Sequence, residues 1–184
     1  MIKYVAFLRG INVGGHKAIK MEELKKAFET LGFENVKTLL ASGNVLFAAP
    51  AASESALAKK IEKKLETAFG HEIGVLIRKI AGLQRLAEAD PFAGVEVTPQ
   101  TRLYVTFLAE KPRSGLKIPY ESPDKNFKII RATGSEVYSV LTLSPNSRTI
   151  DLMSILEKEF GRKVTTRNWN TIEKILKASG LNKS

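Results

Sequence analysis

The stretch Arg9-Gly10-Ile11-Asn12-Val13-Gly14-Gly15-His16-Lys17 holds the parts of an anion cradle: glycines with unhindered backbone N–H groups, two cations and an imidazole. A loop of this kind holds phosphate when its amides converge and a helix starts behind it. Its spacing approaches a P-loop, with four residues between Gly10 and Gly15, but His16 stands where the lysine belongs. Lys17 comes one place late, and Ala18 replaces the magnesium-binding hydroxyl. Those groups act only at fixed offsets from the cradle, so P-loop chemistry is excluded. Glu22 and Glu23 in the next helical turn already complement the helix dipole and oppose an incoming anion. The loop reads either as an anion site or as a plain strand-to-helix connection.

A second unusual stretch is Thr165-Thr166-Arg167-Asn168-Trp169-Asn170. Asn170 followed by Glu173 has capping-box spacing and is expected to start the last helix. Trp169, the only tryptophan, suits a core or inter-domain plug better than a ligand platform. Arg167 extends the basic run Arg162-Lys163, and with Asn168 it stays open to both a structural and a ligand role. With no cysteine and two histidines, His16 and His71, thiolate catalysis, disulfides and soft-metal sites drop out. No serine lies near a histidine and an acid, and no HExxH or paired-carboxylate pattern is present. No metal and no cofactor are expected.

These residues are positioned by elements that alternate in type. Residues 2–10 read as a strand, and 21–32 as a helix with Met21, Leu24, Phe28 and Leu31 on one face and Gly32 as its stop. Residues 35–49 read as two strands around Ser42-Gly43, followed by a helix marked by Leu57, Ile61, Leu65 and Phe69 and a strand over 72–79. The order is β-α-β-β-α-β, the ferredoxin-like arrangement. A short helix ending at Asp90-Pro91 then leads into a connector.

The pattern recurs. Ala41-Ser-Gly-Asn and Ala132-Thr-Gly-Ser are offset by 91 residues, and so are Phe69-Gly70 and Phe160-Gly161. Residues 102–110 resemble 2–10 at a larger offset, and Pro112, Pro119 and Pro123 explain why the first crossover of the second copy lacks a helix. The expected fold is α+β, a tandem duplication of two ferredoxin-like subdomains, 1–92 and 93–184, packed together with an extra C-terminal helix. In such a unit the end of strand one lies beside the turn between strands two and three, and the start of strand four lies at the same end. Arg9, Asn12, the Gly14 and Gly15 amides, His16, Lys17, Lys20, Ser42 and Asn44 should then form a donor-rich rim free of carboxylates, Glu72 being the first candidate for an exception.

Net charge is +10, with 43% apolar and 26% charged residues. Residues 1–92 carry 14 basic and 10 acidic side chains (+4) and residues 93–184 carry 15 and 9 (+6), so along the sequence the excess is diffuse. No apolar run is long enough to span a membrane, and Lys3 and Arg9 argue against a signal peptide, so a cytoplasmic protein is expected. An open RNA-stacking sheet is disfavoured, because Tyr4 and Leu8 point to one face of strand one and Val5 and Phe7 to the other.

The segments FLRGINVGG, IKM, LASGNVLF and TTRNWNT together resemble the bacterial family catalogued as domain of unknown function 1697, over essentially the whole chain. The resemblance implies two ferredoxin-like subdomains and a cytoplasmic protein, and it implies no activity. The function expected from the residues is non-catalytic binding of nucleic acid or another phosphate-rich partner by loop 10–20, helped by Arg167. The alternatives are an enzyme on a small phosphorylated substrate with His16 as acid or base, and a scaffold whose cations join its own halves.

Overall fold

A computed structural model describes residues 1–13, 18–112, 115–145 and 152–180. It is a mixed α+β structure with two antiparallel sheets and, among the described residues, five helices. Met1–Arg85 with Ile175–Ser184 form one compact unit and Leu86–Lys174 the other.

The first unit holds β1 (Ile2–Leu8), α1 (Met21–Glu29), β2 (Glu34–Leu39), β3 (Asn44–Ala49), α2 (Glu54–Phe69) and β4 (Val75–Lys79), with strand order β2-β3-β1-β4. Alternation sends Tyr4, Ala6, Leu8, Val45 and Phe47 to one face, where the apolar stripes of α1 and α2 bury them. Phe47 is the hub, stacked on Phe33 at 4.5 Å and on Tyr4 at 5.5 Å, with the edge of Phe28 at 5.6 Å. Burial of each such ring contributes roughly 1.5–3 kcal/mol. Val5 and Phe7 on the opposite face are buried too, as the two-faced apolar pattern of the strand requires.

Helix boundaries follow local chemistry. Ser53 caps α2 by accepting the Ala56 N–H at 3.1 Å. Gly70, at φ +75°, ends the helix in the left-handed conformation that a side chain would strain. Helix α1 has no side-chain cap, and its first-turn acids Glu22 and Glu23 complement the dipole instead.

After α3 (Ile80–Glu88), the second unit runs through β5 (Thr101–Leu108), β6 (Tyr120–Glu121), β7 (Phe127–Ala132), β8 (Glu136–Thr142), α4 (Leu152–Phe160) and β9 (Val164–Asn168), in sheet order β6-β7-β8-β5-β9. Leu108, Phe127, Ile129, Val137 and Leu156 form its core, and Gly161 at φ +90° ends α4. Where the first unit has α1, the described residues of the proline-punctuated stretch carry only the short β6. Helix α5 (Trp169–Ala178) follows β9 without a loop, which corrects the expected cap: Asn170 lies inside the helix. Asn168 is the capping side chain, accepting the Asn170 N–H at 3.0 Å.

Candidate functional site

Four segments of the first unit meet at one sheet end. Leu8 N–H donates to Gly43 O at 2.8 Å and Arg9 N–H to Gly74 O at 2.9 Å, so β1 runs out between the β2–β3 turn and the start of β4. Asn12 joins the fourth piece, the approach to α1 at Ile19, to the β2–β3 turn at Ala41. Its Oδ1 accepts the Ile19 N–H at 2.7 Å, and its Nδ2 donates to Ile19 O at 3.2 Å and Ala41 O at 2.8 Å. One side chain thereby ties both ends of the 13–18 segment to the neighbouring turn, from a backbone at φ +56° where asparagine is among the best tolerated residues.

Asn44 is likewise internal. It is fully buried, and its Nδ2 donates to Leu39 O at 2.9 Å and Ser42 Oγ at 3.1 Å, closing the turn. Both asparagine amides thus hold the framework of the rim, and the polar atoms facing outward belong to other residues. Arg9 is half-buried, its stem against Gly74, and Ser42 and Lys20 are exposed. Gly14, Gly15, His16 and Lys17 lie outside the described residues.

The rim is bordered by acids on its β4 side. A cleft of about 380 Å³ is lined by Lys59, Glu62, Lys63, Glu66, Glu72 and Gly74, and Gly74 is also the neighbour of Arg9. Glu72 was foreseeable as an exception; Glu62 and Glu66 were not, because helix packing rather than sequence proximity brings them there. Glu62 is partly used, accepting the Val75 N–H at 2.9 Å.

Arg167 and Asn168 belong to the second unit. Arg167 is 9% exposed and its Nη1 donates to Thr165 Oγ1 at 2.8 Å and Thr166 O at 2.9 Å. Burial lowers its pKa to about 10, leaving it charged at neutral pH. Trp169 is half-buried, its ring edge-on to Phe92 at 5.2 Å. Phe92 also meets Tyr138, whose pKa is raised to about 12 by burial and then by the Glu136 carboxylate.

Because the Tyr138 phenol ionises later in the folded chain than in the unfolded one, its favourable contribution is complete below pH 10 and is lost as pH climbs through about 12. Urea unfolding across that window should show about 2–3 kcal/mol less alkaline loss in Tyr138→Phe than in the unaltered chain. Equal losses in both would remove the assignment.

The sequence profile of the family described as protein of unknown function, DUF1697, matches residues 1–138. The chain belongs to the DUF1697 family. No curated protein matches it in sequence. In structure it is similar to a conserved bacterial protein of Streptococcus pneumoniae at a TM-score of 0.66 and 20% identity, over 98% of this chain and 99% of the other. That likeness shows the fold alone. No helix among the described residues of this DUF1697 chain is long and apolar enough to cross a membrane. None of their His, Asp and Glu side chains cluster in a group of three or more that could hold a metal ion.

Counted by compact unit, the first carries 16 basic and 8 acidic residues (+8) and the second 13 and 11 (+2), so the excess is concentrated. Lys59, Lys60, Lys63 and Lys64 of α2 contribute much of it, and the run KKIEKK was the signal available.

Proposed function

We propose that this DUF1697 protein is a non-catalytic, cytoplasmic binder of a phosphate-bearing anion, held at the β1–α1 loop of a ferredoxin-like unit that the chain carries in two copies, 1–92 and 93–184. The duplication reading is supported by paired closures: Leu8 N–H to Gly43 O and Arg9 N–H to Gly74 O recur as Leu108 N–H to Ser135 O and Ala109 N–H to Lys163 O. Helices α2 and α4, which hold corresponding places in the two copies, also both end at a left-handed glycine, Gly70 and Gly161.

The observation that carries the binding reading is the Asn12 clamp. It fixes both ends of a glycine-rich loop beside the β2–β3 turn, at an edge where Arg9 and Lys20 supply positive charge. On a segment anchored at both ends, backbone amides and cations can bind an anion together. Arg167 and Asn168 are left out of this site, since Arg167 is buried with its Nη1 donating within its own strand and Asn168 caps α5.

Titration with mixed-sequence oligonucleotides at low salt tests it. Binding that weakens at least tenfold in Arg9→Ala/Lys17→Ala is the expected result (about 1.4 kcal/mol). No binding, or binding unchanged in the double variant, removes the site. Hydrolysis of a phosphate ester that disappears in His16→Ala would replace binding by catalysis.

A further inference from the structure

The ligand class can be narrowed on the anion-binding reading above, starting from what the first unit lacks. Its six aromatic residues are Tyr4, Phe7, Phe28, Phe33, Phe47 and Phe69; the first five are buried and Phe69 is half-buried against the core. Proteins that hold unpaired strands without reading sequence stack bases on exposed rings. The described surface of this unit offers none.

What it does offer is a lysine face. Leu57, Ile61 and Leu65 bury one side of α2, and Lys59 and Lys63 stand exposed on the other; one position on, Lys60 is exposed and Lys64 is half-buried beside the apolar stripe. Each pair is spaced i, i+4, which places its members about 6 Å apart along the axis. Lys60 is held over the Phe33 ring at 5.2 Å and donates to Leu31 O at 3.3 Å. Lys59, Lys63 and Lys64 form no ion pair among the described residues. Like charges at this spacing weaken a helix, and an anionic partner removes that penalty. Lys59 and Lys63 also line the cleft that reaches Gly74, the residue against which Arg9 packs.

We infer that the first unit binds the phosphodiester backbone of duplex nucleic acid along the lysine face of α2 and reads no bases. A duplex presents about one charge per 1.7 Å of axis, denser than a single strand. That density favours it wherever lysines act without stacking. The three acids of the cleft, Glu62, Glu66 and Glu72, would set how far the backbone extends toward Arg9.

Fluorescence anisotropy on the full chain tests this with a labelled duplex, its unpaired strand, a duplex of unrelated sequence, and linear polyphosphate as competitor. The expected result is tighter binding of duplex than strand and no preference between the two duplexes. In Lys59→Gln/Lys63→Gln/Lys64→Gln, duplex affinity should fall at least tenfold at low salt, and the slope of log affinity against log salt should flatten by about 2.7, or 0.9 per lysine. Preference for the unpaired strand, sequence dependence, or an unaffected triple variant overturns the inference, while the rim reading survives if Arg9→Ala/Lys17→Ala still weakens binding. Polyphosphate outcompeting duplex at equal phosphate overturns the assignment to nucleic acid. No binding of any probe removes both.

Discussion

Gly43→Ala is expected to destabilise the protein by about 3 kcal/mol, which lowers the melting temperature of a chain of this size by roughly 10 °C. Two effects add. A Cβ at Gly43 would lie 2.7 Å from Ile11 Cδ1 and 2.9 Å from Leu8 Cβ, inside contact distance of both. The Ile11 tip can swing aside, but Leu8 Cβ is fixed by a strand whose next partner is Gly43 itself. The backbone at φ +81° adds about 1–2 kcal/mol of strain for any L side chain. Gly134 supplies the control, as it opens the matching turn of the second unit with only flexible Lys111 atoms at 3.8 and 3.9 Å and no positive φ. Gly134→Ala should stay within about 0.5 kcal/mol. Calorimetry of the two variants side by side decides the matter, and equal melting temperatures would mean that the Gly43 turn is not the tight junction described.

Asn12→Ala should cost about 2–4 kcal/mol, because three hydrogen bonds vanish together and alanine tolerates the left-handed backbone less well. Asn12→Gly separates the two contributions. It relieves the backbone while losing the same bonds, so it should be milder than the alanine variant by about 1 kcal/mol. Amide exchange at Ile19 gives a local readout, with protection expected to fall in both variants, since its N–H loses its acceptor. A stability within 0.5 kcal/mol of the unaltered chain would show that the clamp holds nothing, and the binding reading would lose the observation on which it stands.

Much of this architecture is legible in short-range pattern. Leu57, Ile61 and Leu65 recur at helical spacing and are all buried; Ser53 and Gly70 bracket them as cap and stop. Past Lys3, β1 exposes nothing, and Tyr4 through Leu8 are buried on both faces. Meeting of the β1 end with the β2–β3 turn and the β4 start was also deducible, since it follows from strand direction once the elements are ordered. The last helix shows where local pattern falls short. Asn170-Thr-Ile-Glu173 has capping-box spacing, yet β9 runs straight into α5 two residues earlier and Asn168 takes the cap, because pairing of Asn168 with Tyr104 decides where the strand stops.

By itself, then, the sequence determined the α+β class, the order of elements and the edge at which Arg9, Asn12, Ser42 and Asn44 gather, all of them consequences of periodicity and turn chemistry along the chain. Tertiary structure decided how those side chains are used. Asn12 and Asn44 spend their amides on carbonyls up to 29 positions away, and Arg167 is buried rather than in solvent. The charge excess settles on one unit because residues 175–184 return to it and residues 86–92 do not. Hydrogen-bond partners, burial and local charge density depend on which distant segments come into contact, and a residue's type and spacing carry no record of that.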